Sequence, residues 1–373
     1  NLAYLQLSQL KINSGSVFMT DIENVDATNG IYNDGLLTIN ADGTIGNAIE
    51  GTGELEIDSG VINSASITQS TITINSGATF ETDASLLTVS NSIVNNSQMF
   101  FTGGTNNNDI TGPGDLFNSG TIINNGDIDQ GSFHVTSGIF TNNGEITASN
   151  MFISDVATLL TTNMLDTFSA GGAIYNDGLL QVDVDSSSGT VDNANFVYGI
   201  GALEILGNTI FNQQAGVSIT QSSITISDNA SMTANADDLI ISDKIYNDGS
   251  LTLRGFTGAD NNNEITGTGH LFINGIIRNF QNITQSGLTL YDSTTLWTVE
   301  GTTTTVTDNL VVGSNAWFLN DGYLYVADGT NNGRIVRQNI NTLGSMNISG
   351  NFTNNGTIDL ESVYVVSGAT LTT

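Results

Sequence analysis

Cysteine is absent from this chain of 373 residues, proline occurs once (Pro113), and lysine and arginine together number six. With no cysteine there is no disulfide framework, so the fold must hold by packing and hydrogen bonds alone. The near absence of proline suits strands that are hydrogen-bonded on both sides, because proline removes a ladder donor. Six cations against 37 acids leave a net charge of −31. That balance excludes nucleic acid as a partner, where Lys and Arg must neutralise phosphates. It equally disfavours an anionic membrane surface. No stretch reaches the ~18 apolar residues of a membrane helix, and none shows sustained helical periodicity. The chain opens on Asn1 with no charged-then-apolar leader, the expectation being a removed signal or a segment of a longer polypeptide.

What is present is glycine (42 residues), asparagine, serine and threonine, with 38% hydrophobic residues recurring in short alternating runs such as Thr71-Ile72-Thr73-Ile74. Such runs can bury a continuous core, which rules out disorder despite the polar composition. One phrase recurs: an apolar residue, any residue, Asn, Asp or Asn, then Gly. It occurs as Ile31-Tyr32-Asn33-Asp34-Gly35, Ile174-Tyr175-Asn176-Asp177-Gly178 and Ile245-Tyr246-Asn247-Asp248-Gly249. Phe318-Leu319-Asn320-Asp321-Gly322 and Phe352-Thr353-Asn354-Asn355-Gly356 are further copies, and Ile93-Val94-Asn95-Asn96-Ser97 is a degenerate one. From Ile31 through Ile93, Ile174 and Ile245 to Phe318 the spacings are 62, 81, 71 and 73 residues. A Gly-x-Gly-x-Leu phrase follows the first four copies, at Gly51/Gly53, Gly112/Gly114, Gly199/Gly201 and Gly267/Gly269. A third phrase closes each: Ile67-Thr68-Gln69-Ser70, Ile128-Asp129-Gln130-Gly131, Ile219-Thr220-Gln221-Ser222 and Ile283-Thr284-Gln285-Ser286.

Ordered self-similarity of this kind is the signature of a repeat architecture. Shorter spacings, such as Gly126 to Gly144, imply coils of roughly 17–22 residues with two or three short strands each. The expectation is an all-β fold: a single elongated parallel β-solenoid of roughly 18 coils. Residues 1–30 are read as an N-terminal cap or the continuation of a preceding coil. Five degenerate units follow, at 31–92, 93–173, 174–244, 245–317 and 318–373. Asn33, Asn176, Asn247, Asn320 and Asn354, with Gly35, Gly178, Gly249, Gly322 and Gly356, are assigned to structural turns on the argument that Asn and Gly tolerate positive φ.

The phrases Phe140-Thr141-Asn142-Asn143-Gly144-Glu145-Ile146 and Phe352-Thr353-Asn354-Asn355-Gly356-Thr357-Ile358 resemble the repeats of bacterial surface β-helices, namely autotransporter passenger domains and filamentous-haemagglutinin-like adhesins. The resemblance runs from about residue 30 to the end. It implies a right-handed parallel β-helix, secretion and display at the cell surface, and it carries over no catalytic motif.

Chemistry is sparse. Only His134 and His270 could serve a nucleophile. Aligned by phrase, Phe133-His134-Val135 matches Ile72-Thr73-Ile74, which puts His134 in an outward slot held elsewhere by Thr. His270 takes the variable position of Gly-x-Gly-x-Leu. Asp183/Asp185, Asp237/Asp238 and Asp58 with Glu54/Glu56 are acid groupings that a polysaccharide-degrading or phage-tailspike-like β-helix enzyme would need. Asp34, Asp177, Asp248 and Asp321 sit in equivalent turns and are the Ca2+ candidates; no other cofactor is expected. Tyr32, Tyr175 and Tyr246 fall on equivalent outward positions and are candidate surface contacts for sugar rings or a neighbouring copy. The reading is a secreted, non-enzymatic structural or adhesive rod: a fibre or adhesin stalk, self-associating end to end or laterally, with a glycan or host surface as a further partner.

Overall fold

The computed structural model describes residues 4–162, 172–184 and 190–373. The fold is all-β, 61% strand, with parallel coils stacked into a β-solenoid of about 19 turns. It divides into two units, Asn1–Leu180 and Gln181–Thr373. No α-helix occurs among the described residues; three single 3-10 turns, such as Ala84–Leu86, serve as corners.

In the first unit the coils contribute two or three strands apiece, and each strand pairs with the one about 18 residues on. Ile31–Asn33, Leu36–Ile39 and Gly43–Ile45 are followed by Ile49–Glu50, Glu54–Ile57 and Gly60–Asn63, which pair with them in that order. Alternation decides the burial. In Ile67–Ile74 (Ile-Thr-Gln-Ser-Thr-Ile-Thr-Ile), Ile67, Gln69, Ile72 and Ile74 are buried while Thr68, Thr71 and Thr73 are not. Because register is kept from coil to coil, buried residues form columns. Val61, Phe80, Met99, Leu116, Phe133, Met151 and Ile174 are one such column, each in register with the next. Each buried side chain of this size contributes about 1.5–3 kcal/mol.

The second unit repeats the logic with longer strands. Ser250–Asn261 pairs with His270–Asn279, and Thr303–Val312 with Tyr323–Asn331. Leu251, Leu271, Leu288 and Leu310 form a buried column, continued by Gly329 and Phe352. A Cβ on Gly329 would lie 2.9 Å from the Phe352 ring, so the aromatic side chain fills the room the glycine leaves.

The unequal spacing of the first phrase has a geometric cause. Ile31 lies in register with Ile49, Ile67 and Leu87; Ile93 with Ile72, Ile110 and Ile128; and Ile174 with Met151. Three successive copies therefore occupy three different strand columns. A spacing of 62 residues is three turns plus one strand, and the phrase steps around the coil as the chain climbs.

The turn glycines need correcting in their physical reason. Gly35, Gly178, Gly249, Gly322 and Gly356 are not among the residues with positive φ. What forbids a side chain is proximity: a Cβ on Gly35 would lie 2.3 Å from the Ser16 carbonyl oxygen, and on Gly249 2.3 Å from that of Ala230. The corners of adjacent coils touch backbone to backbone, so these glycines are spacers between turns of the solenoid.

Candidate functional site

The three phrases converge at one corner. Asn33, Gly51 and Gln69 occupy the same inward register position on three consecutive coils, because Ile31, Ile49 and Ile67 are paired in sequence. Gly51 has φ +129°, and a Cβ there would lie 2.2 Å from the Asn33 carbonyl oxygen. With no side chain on the middle coil, the Asn33 amide reaches past it and donates to Gln69 Oε1 at 2.6 Å. Asn95, Gly112 and Gln130 repeat the arrangement at 2.6 Å, and so do Asn247, Gly267 and Gln285 at 2.6 Å. Every one of these amides is buried, as are Asn176 and Gln221. The Asn33 amide also donates to the Glu54 carbonyl (2.9 Å) and its oxygen accepts from the Gly35 N–H (3.1 Å), so the group is satisfied on both ends.

Asp34 and Asp248, beside the buried Asn33 and Asn247, point outward and work on the next coil. Asp34 Oδ1 accepts from the Thr52 N–H and hydroxyl, both at 3.1 Å; Asp248 Oδ1 accepts from Thr268 at 2.8 and 2.9 Å. These bonds, led by the Thr52 N–H, hold the Asp34 carboxyl below its ordinary value. Where the middle residue is Pro113, which has no N–H to give, the phrase carries Asn96 instead. Asp321 is buried and accepts from Trp297 Nε1–H (3.0 Å), the N–H groups of Gln338 (2.9 Å) and Asn339 (3.1 Å), and the Thr342 hydroxyl (2.8 Å). The four Ca2+ candidates thus lie on separate coils, and among the described residues no three His, Asp or Glu side chains gather into a metal-binding group.

Two further amide ladders run along the stacking direction of the first unit. Asn106, Asn124 and Asn142 are buried; Asn106 donates up to Asn124 at 2.7 Å and Asn124 to Asn142 at 2.8 Å. Their neighbours Asn125 and Asn143 donate downward, to Asn107 at 2.8 Å and to Asn125 at 2.9 Å.

The outer face holds a ring stack that phrase alignment did not reveal. Phe100, Phe117, His134, Phe152 and Tyr175 are in lateral register, with successive ring centroids 4.8, 4.4, 4.6 and 5.0 Å apart and planes within 18° of parallel. His134 is outward-facing as expected, yet its neighbours are rings, not the threonines of its phrase. Burial between Phe117 and Phe152 lowers its pKa, with Asp115 pulling weakly the other way. The usable signal was the 17- or 18-residue spacing of Phe100, Phe117, His134 and Phe152. Stacked this way the rings show edges to solvent, whereas a sugar ring stacks on an aromatic face.

His270 is likewise half-buried. Its ring lies over Gly287, where a Cβ would sit 2.0 Å from Nδ1, stacks on Phe272 at 4.2 Å, and shares a 2.8 Å hydrogen bond with Thr289. Burial lowers its pKa against a weak opposing pull from Asp308. Tyr32, Tyr175 and Tyr246 all face outward, but the structure does not bring Tyr32 and Tyr175 together. Tyr32 shares a column with Lys11 and Glu50, whereas Tyr175 stacks on Phe152. Tyr246 donates to Asp243 at 3.2 Å. Of the acid groupings, Asp237 accepts from the Asp260 N–H (2.7 Å), Asp238 from the Gly216 N–H (3.0 Å), and Asp58 from Asn75 (2.6 Å). Asp185 lies outside the described residues.

Comparison with known proteins finds no matching protein family, no matching curated protein and no matching solved structure.

Proposed function

We propose that this chain is a secreted, non-enzymatic structural or adhesive rod of a cell surface, in the manner of the β-helix stalks its repeats resemble. The observation that supports this reading is where the side-chain chemistry is spent. The Asn106–Asn124–Asn142 ladder, the Asp34–Thr52 and Asp248–Thr268 bonds and the ring stack join one coil to the next, and the buried Asn–Gln pairs clamp a coil between its two neighbours. Such bonds resist separation of coils and shear between them, which is a mechanical duty. Asp34 and Asp248 serve the same end through Oδ1, and Asp321 through both its oxygens. An acidic, cation-poor surface keeps such an element soluble. Self-association and attachment to a glycan or host surface are the partner classes that fit it.

The test is electron microscopy of native material with light scattering of the purified chain. Filaments with a regular axial repeat support a self-assembling fibre. Discrete particles support a stalk or binding module, and a glycan array then identifies the ligand. Release of reducing ends from a capsular or plant polysaccharide would overturn the non-enzymatic reading.

A further inference from the structure

The first unit carries a groove of about 720 Å³ on the face that bears the ring stack. Its floor is the outward column that precedes the stack: Thr44, Ile62, Glu81 and Phe100 are in lateral register on consecutive coils. Ile62 is 51% exposed, a large aliphatic side chain left in water. Gly43 and Gly60 keep the trench open, since a Cβ on Gly43 would meet the Glu23 side chain at 2.7 Å and one on Gly60 would meet Asp42 at 3.0 Å. Phe117 covers one face of the Phe100 ring, at 4.8 Å. The other face looks toward the coil of Glu81 and closes the groove. Glu23, Asp42 and Glu81 supply three carboxylates to the lining, and no lysine or arginine enters it.

From this we infer that the groove is a docking site for an extended basic segment of another polypeptide. Charge complementarity selects the occupant. A lysine or arginine side chain can lay its methylene stem on Ile62, set its cation over the open Phe100 face, and reach Glu23 or Glu81. Asp42 Oδ1 is already taken by the Ser59 hydroxyl and the Gly60 N–H (2.8 Å), which hold its carboxyl ionised below its ordinary value and leave Oδ2 for a ligand. The lining spans four coil steps, about 19 Å at the ~4.8 Å strand spacing, which is roughly six residues of extended chain at ~3.3 Å each. The net charge of −31 draws such a segment in from a distance. This inference goes beyond the structural-rod reading and does not depend on it.

The experiment is fluorescence anisotropy of the full chain with a labelled octapeptide of alternating lysine and leucine, at about 0.15 M salt, where diffuse surface attraction is screened. Thermal unfolding first establishes that each variant is folded. The double variant Glu23→Gln/Glu81→Gln should weaken binding at least tenfold, and Phe100→Leu about two- to fivefold. Asp155→Asn/Glu300→Gln removes the same charge elsewhere and should change binding less than twofold. Equal losses in both double variants would mean nonspecific attraction and overturn the site. Tighter binding of a neutral hexasaccharide than of the peptide, lost in Glu23→Gln/Glu81→Gln, would make the groove a glycan site and overturn the peptide.

Discussion

Asn33 and Gln69 are 36 residues apart in sequence, yet the amide of one donates to the amide oxygen of the other over 2.6 Å, across a coil that offers only Gly51 at that position. Removing either partner leaves a buried polar group unsatisfied, which costs about 1–3 kcal/mol. Asn33→Ala and Gln69→Ala should each destabilise by that amount. The double variant should fall short of their sum, with a coupling of about 0.5–3 kcal/mol. Chemical denaturation of the four-member cycle checks this; strict additivity would mean that the pair acts independently.

Gly51 separates two reasons for keeping a glycine. Gly77 also has positive φ (+88°), but a Cβ there would meet nothing within 4 Å, whereas on Gly51 it would lie 2.2 Å from a backbone oxygen. Gly77→Ala should therefore cost about 1 kcal/mol of backbone strain. Gly51→Ala should cost that plus about 1–3 kcal/mol for forcing the coils apart. Similar losses for the two would show that the approach between corners relaxes freely.

These two glycines mark how far the sequence could be read. Parallel stacking, coil length and the order of the phrases were all legible, because alternation and spacing are local signals. The meaning of the phrases was not. Asn33, Gly51 and Gln69 read as a turn, a bend and a strand until lateral register places them at one position. His134 shows the same limit: its phrase aligns it with Thr73, while its coil places it between Phe117 and Phe152. A repeat that steps by one strand per unit separates equivalence of sequence from equivalence of place.

His134 and His270 give stability a pH dependence. Both have folded pKa values below the ordinary 6.5 because burial disfavours the cation. The unfolded chain therefore takes up protons first, and stability falls as pH drops below about 6.5, levelling once the folded state also protonates. Above that value the histidines have no effect. The thermal midpoint should decline as pH falls below about 6.5, less steeply in His134→Phe, which continues the ring stack. Replacing His270 by Gln as well should flatten that decline. The depressed Asp34 and Asp42 act separately, their stabilisation being lost as pH falls below 3.8. A decline unchanged in the double variant would assign the effect to other groups.

Asp321 joins a buried carboxylate to a fluorophore. It is 3% exposed and accepts from the Trp297 indole N–H, two backbone N–H groups and the Thr342 hydroxyl, with no cation among these partners. Substitution by Asn puts an NH₂ group where donors converge, so at least one bond is lost, at about 1–3 kcal/mol. Because the Gln338 and Asn339 N–H groups and the Thr342 hydroxyl all donate to this carboxylate, the segment 338–343 should loosen first. Limited proteolysis of Asp321→Asn should cut there while the remaining coils stay protected. Trp297 emission should shift as its indole loses the acceptor; Trp317, which stacks on Arg334 at 4.1 Å, provides the internal control. The same emission tests calcium. Four donors already occupy the carboxylate, so adding Ca2+ or EDTA should leave Trp297 unchanged, and a calcium-dependent shift would show that the ion displaces these donors.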